Sequence, residues 1–427
     1  MKVFILSVTL MLLTACGGSS SSQQPVNGNS PILDADLSNL QPYIPNGPYA
    51  SKLVPCVSIA NDSDSCTLID LPPIGLNNLS PSIDDILNHL VVSHPWMGDR
   101  MRDLLTIMPA DILLMLRSAT AIVIDDDIRP AYFRQGTGAI YIDPAYLWLS
   151  NAEKATINPK QDFRSDFGKD LQFKRLWRYI INNQFAWQNY PLDGTEERTI
   201  TDTLINTSWL FYHELAHAND CMTADKLDTL NTSASYFENH LSLSNSGQCV
   251  HDRLIAMYPL TSSVWSSLAG VLYQGNDSTI AEEAMTPVEV GAEFELDIAN
   301  DTYSYSSIWE DTAMVFESIL MKNSFNADRD MVIVPFYEIF DCQTVLVKWG
   351  QRGRLGDPVI IARAQFVIAE ILPELDLTNF YNNQPLPTQI PLDTSYCSLN
   401  YSQQKAGQLQ ETTESMQSRL NNQRDIH

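Results

Sequence analysis

The chain has 427 residues, 44% of them hydrophobic and 18% charged, the composition of an ordinary globular protein with length for two or three domains or one large one. Lys plus Arg total 26 against 51 Asp plus Glu, a formal net charge of −25. This argues against a nucleic-acid partner, because phosphate binding needs a basic stripe and the densest here is the short segment 348–354.

Residues 1–15 read as an export signal. Lys2 supplies a positive start, residues 3–13 form an apolar run too short to span a bilayer, and Leu13-Thr14-Ala15 precede Cys16. The stretch resembles a bacterial lipoprotein signal. That resemblance implies that Cys16 carries lipid, becomes the first mature residue and anchors the chain to a membrane. Gly17 rather than Asp follows, so the outer membrane, facing periplasm or exterior, is the expected location. Residues 16–48, rich in Gly, Ser, Gln, Asn and Pro, bury too little apolar area to fold and read as a flexible tether. Six further cysteines in an exported chain read as disulfides. Proximity pairs Cys56 with Cys66, Cys221 with Cys249 and Cys342 with Cys397, while C-x-x-C pairs are lacking.

Residues 49–81 read as an irregular lead-in closed by a disulfide loop. Helical spacing is expected over 82–90 and 99–116 with Pro95 as the break, then a twisted hairpin over 119–124 and 132–142 interrupted by Gly136-Thr137-Gly138. A helix-rich block over 170–188 precedes the strongest helical segment, 201–222. The Ser/Asn-rich stretch 225–247 follows. Alternation of Val288, Val290, Ala292, Phe294 and Leu296 predicts a strand, and helices are expected at 308–321 and 363–372. Segment 402–427 reads as frayed or disordered. These elements make an α+β fold with a main body at 82–375 and a C-terminal extension at 376–427.

Chemistry is concentrated in Trp209-Leu-Phe-Tyr-His213-Glu214-Leu-Ala-His217. Residues four apart share a helical face, so His213 and His217 can reach one ion while Glu214 addresses a water beside it. Asn206, Leu210, His213, His217 and Asp220 share that side, leaving Leu204, Phe211, Leu215 and Ala218 for the core. A catalytic zinc takes three protein ligands and keeps one position for water. The longer pattern that continues with Gly and a third His fails, because Asp220 and Thr223 stand at those positions. Glu310 is the first choice for third ligand, with Glu282, Glu283, Glu289 and Glu293 as rivals. His240 and His251 have no paired ligand nearby and read as surface or loop residues.

The motif at 213–217, followed by Tyr303 and then Glu310-Asp311-x-Ala313-x-x-Phe316, resembles the gluzincin-type zincin metallopeptidases. It covers roughly residues 200–222 and 300–321, with a weaker echo at 138–142, and is specific for the class rather than the substrate. The resemblance implies a twisted, mostly antiparallel sheet beside the motif helix and a helical C-terminal part. It also implies one Zn2+ per chain on His213, His217 and Glu310. In such a site the ion brings the pKa of its water from 15.7 toward about 7, and Glu214 takes the proton and later protonates the leaving amine. Tyr303, or else Tyr305, hydrogen-bonds the tetrahedral intermediate. The expected activity is endopeptidase hydrolysis of a protein or peptide that pairs with the edge of the 132–142 sheet. Met314 departs from the pattern, since many such families place a carboxylate four residues after the ligand Glu. Asp220, Asp311 and Glu317 are the candidates to steady a ligand imidazole instead. The competing expectation is a surface lipoprotein of the same fold that binds a partner or zinc without hydrolysis, against which Glu214 weighs. A purely structural envelope lipoprotein would hold no metal at all.

Overall fold

Which face each strand residue takes organises the molecule. The computed structural model describes residues 35–398, and in them ten strands build two five-stranded sheets. The first contains β1 (Gln41–Pro42), β2 (Leu90–Val92), β3 (Ala121–Ile124), β4 (Tyr132–Arg134) and β5 (Ala139–Ile142), in the order β1-β2-β3-β5-β4. Strands β2, β3 and β5 run parallel, with β1 and β4 antiparallel at the edges. Leu90, Ile122 and Ile140 enter the main core, while Val91, Val123 and Tyr141 enter a smaller one with Leu53 and Val57. Burial on both faces is why these strands read as continuous apolar runs. Only β4 and β5 form the expected hairpin. Residues 121–124 run parallel to β5, so this sheet is mixed rather than mostly antiparallel. Gly138 closes the hairpin at φ +71°, where a Cβ would also meet the Tyr236 ring at 2.5 Å.

The second sheet is antiparallel throughout: β6 (Phe173–Ile181), β7 (Gln184–Phe185), β8 (Asp328–Pro335), β9 (Trp349–Arg352) and β10 (Thr388–Gln389), in the order β10-β9-β8-β6-β7. The helix expected across 170–188 is therefore wrong. Its aromatic and β-branched residues alternate, with Trp177 and Tyr179 entering the main core and Leu176 a separate cluster. Strand β6 lies against β8 in a register that sets Arg178 opposite Asp330 and Tyr179 opposite Arg329.

Local capping overrides apolar patterning elsewhere. Segment 288–296 is helix Pro287–Leu296, not a strand, because Thr286 and Glu289 close a capping box and Pro287 fits the first turn. Pro95 likewise opens helix Pro95–Leu105 instead of breaking one, and Pro109 separates it from Ala110–Met115. The expected helix 82–90 is only Ile83–Leu87, followed by β2. The motif helix Ile200–Cys221 and the Glu310 helix Ile308–Phe325 pack on each other. The former touches β4 and β5, and its Trp209 ring lies 5.1 Å from that of Trp177 on β6. A late helix, Pro358–Ile371, lies against both.

All three disulfides join the cysteines that proximity paired. The outer boundaries shift. The tether expected to reach residue 48 gives way by Ala35 to one unit, in which Leu40 is buried and β1 pairs with β2. The lead-in contains helix Ala50–Val57. At the other end, β10 pairs with β9 and Cys397 joins Cys342, so the body continues past 375. The signal, Cys16 and segment 402–427 lie outside the described residues. Among those described, no helix is long and apolar enough to cross a membrane.

Candidate metal centre

The motif helix is fixed at its start by a Thr199–Asp202 capping box. About four and five turns on, it presents His213, Glu214 and His217. The Glu310 helix is capped by Ser307, whose side chain accepts from the Glu310 N–H at 3.1 Å. Glu310 thus sits in a first helical turn, where backbone N–H groups favour a carboxylate. Across the helix pair, Glu310 Oε2 lies 3.0 Å from His213 Nε2 and 3.4 Å from His217 Nε2. The three residues offer ligand atoms all within 4.8 Å of one another. None of the rivals joins them: Glu282 and Glu289 close capping boxes of their own helices.

One carboxylate explains the orientation of His213. Its Nδ1 lies 3.0 Å from Glu317 Oε2, two turns beyond Glu310 on the same helix. An Nδ1–H donating to Glu317 leaves the Nε2 lone pair facing Glu310, the tautomer a metal ligand needs. Glu317 is fully buried and accepts from Arg329 Nη1 at 2.6 Å and from the Tyr179 hydroxyl at 2.9 Å. Arg329 donates through Nε to Asp301 at 2.9 Å, and Asp301 accepts the Tyr303 N–H at 2.8 Å. Strands β6 and β8 therefore brace the centre through their facing pair, Tyr179 and Arg329.

Electrostatics divides the two glutamates. Burial alone would raise the Glu310 carboxyl; without an ion between them, protonated His217 and His213 override burial and hold it well below the usual carboxylate range. Burial raises Glu214, with Glu310 adding to the shift and His213 and His217 opposing it. The Phe133 backbone N–H on edge strand β4 reaches the Glu214 carboxylate. Tyr303 lies with its ring centre 6.2 Å from that of His213. Burial, then Glu310 and Glu214, raise its phenol well above the ordinary value, so it is an O–H donor at neutral pH. Tyr305 is committed elsewhere, donating to Asp297 at 2.8 Å.

The remaining candidates resolve by partner. Asp220 receives the His251 N–H at 2.8 Å and pairs with its Nδ1, and Asp311 pairs with Arg363. His240 and His251 are buried, not surface residues; His240 approaches Cys221, and His251 lies against Trp309. Asp220, Cys221, Cys249 and His251 form a second tight group, but its two sulfurs are bonded to each other. Sequence reasoning missed Arg329, Asp301, Tyr179 and the Phe133 amide, whose roles follow from strand pairing and carry no local signal.

The donor set suits a divalent cation. Glu310 Oε2 is buried, and two imidazole nitrogens face it at 3.0 and 3.4 Å. Convergence of one carboxylate oxygen and two imidazoles matches the His2Glu set of hydrolytic zinc sites. Comparison with family models, curated proteins and solved structures finds no match.

Proposed function

We propose that the chain is an exported, lipid-anchored zinc metallopeptidase of zincin-like fold, with His213, His217 and Glu310 as ligands and Glu214 as general base. The observation that carries the reading is the meeting of Glu310 with both motif histidines across two helices separated by more than eighty residues of chain. Zinc supplies Lewis acidity there, polarising a carbonyl and acidifying water. Glu317 keeps His213 in its ligating tautomer. Glu214, its carboxyl raised by burial, accepts the proton of the attacking water and returns it to the leaving nitrogen. Tyr303 donates its O–H to the developing oxyanion. Strand β4 is an edge strand beside Glu214, which supports an extended polypeptide as substrate. The three disulfides suit an oxidising compartment.

Elemental mass spectrometry of the chain purified without chelator or His-tag tests the metal, and Glu214→Gln tests the chemistry. The expected result is about one zinc per chain, retained in Glu214→Gln while peptide hydrolysis disappears. Glu310→Ala should lose zinc with its circular dichroism unchanged. Chain that stays metal-free when offered zinc, or a Glu214→Gln variant that still cleaves, overturns the reading.

A further inference from the structure

Three helices bring a second set of metal-binding side chains together just past His217. The motif helix ends in Asp220 and Cys221, helix Val250–Met257 has Cys249 at its N-cap and His251 in its first turn, and helix Tyr236–Asn245 adds His240. Asp220, Cys221, Cys249 and His251 offer ligand atoms all within 4.8 Å of one another, and each residue is at most 3% exposed. His240 Nε2 lies 3.9 Å from Cys221 Sγ. With the Cys221–Cys249 bond closed, both sulfurs are spent and the group is a bridge between helices.

The newly made chain carries two thiols there, and two reactions compete for them. A disulfide oxidant takes two electrons and two protons, closes the Cys221–Cys249 bond and leaves as a dithiol. A divalent cation takes no electrons: it binds both sulfurs as thiolates and releases their two protons. Cys249 is well placed for the second course, since backbone N–H groups at a helix start favour a thiolate. His251 is already oriented. Its Nε2 lies 3.3 Å from Asp252 Oδ1, so an Nε2–H donating there leaves the Nδ1 lone pair on the side of Asp220. Two sulfurs, an imidazole and a carboxylate are the four donors with which zinc closes a structural site, and the sulfurs favour zinc over calcium or magnesium. Burial means that neither oxidant nor ion reaches the group once it has closed, so the competition is decided as the chain folds.

We propose that Asp220, Cys221, Cys249 and His251 form a structural zinc site in chain that folds before these thiols are oxidised, the ion standing in for the disulfide between the motif helix and helix Val250–Met257. The proposal is independent of the metallopeptidase reading, whose ligand set holds no sulfur.

The test is full chain synthesised cell-free in two mixtures that both contain zinc, one kept reducing with dithiothreitol and one oxidising with glutathione disulfide. Once loose metal is removed, the reducing product should hold about one zinc more per chain than the oxidising product by elemental mass spectrometry. With cobalt in place of zinc, it alone should show near-ultraviolet thiolate-to-cobalt absorption, which a centre of His213, His217 and Glu310 does not give. Cys221→Ser combined with Cys249→Ser should remove both signals, whereas Cys56→Ser combined with Cys66→Ser should keep them. His251→Asn leaves both sulfurs in place and should weaken the extra zinc at least about tenfold in chelator competition. Equal zinc in the two products, thiolate absorption that survives without Cys221 and Cys249, or a reducing product that stays unfolded by circular dichroism overturns the proposal. Zinc held by the reducing product alone, with thiolate absorption, supports this site and removes the peptidase reading.

Discussion

At the scale of single residues, Glu317 carries two tasks: it fixes the His213 tautomer and neutralises Arg329 in a fully buried site. Glu317→Gln keeps the shape and removes the charge. Zinc affinity, measured by chelator competition, should fall about 10–100-fold. Urea denaturation of metal-free protein should show a loss of about 3 kcal/mol, because a buried guanidinium loses one of its two carboxylates. Unchanged affinity would assign the His213 orientation to packing alone. His213, Glu214 and His217 were legible from spacing, and Glu317 from its seven-residue offset on the Glu310 face. Arg329 and Asp301 were not, since an isolated Arg or Asp looks the same whether solvated or buried.

Single elements bring buried histidines with them. His89, just before β2, is held by the Thr120 carbonyl at 2.6 Å, and burial lowers its pKa to about 4. Burial also lowers His240, on helix Tyr236–Asn245, to about 4. Both fold in the neutral form. Between about pH 6.5 and 4 the unfolded chain binds protons that the folded chain does not, so stability is full above that window and declines as pH falls through it. The urea midpoint should therefore drop from pH 7 to pH 5, and less so in His89→Asn. An equal drop in that variant would place the effect elsewhere. The same scale explains misread elements. Segment 288–296 alternates like a strand, yet its cap and proline favour the helix it forms. Strand β6 is interrupted by Lys and Arg that masked its alternation, and buried Arg178 is accommodated by Asp330 opposite at 2.9 Å together with carbonyls from the C-terminal segment.

For the whole molecule, the decisive joins are long in sequence. Residues 376–398 complete the second sheet: Arg178 donates to the Tyr396 and Ser398 carbonyls, and the Tyr396 ring lies 4.4 Å from its guanidinium. A chain ending at 375 should lose cooperative unfolding by calorimetry, whereas one ending at 398 should melt like the full chain. If the shorter chain unfolds cooperatively and holds zinc, the extension is dispensable. The sequence by itself determined the motif helix, the spacing that sets His213 and His217 on one face with Glu214 between them, and the acidic composition, and proximity pointed to the cysteine pairing that forms. Those properties depend on near neighbours or on composition. Tertiary structure decided that Glu310 rather than its rivals meets the histidines, that Tyr303 and not Tyr305 faces them, and that Tyr179 and Arg329 brace them. Each of these depends on which distant elements pack together, and a pairing energy summed over whole sheets and helices leaves no mark on any one residue.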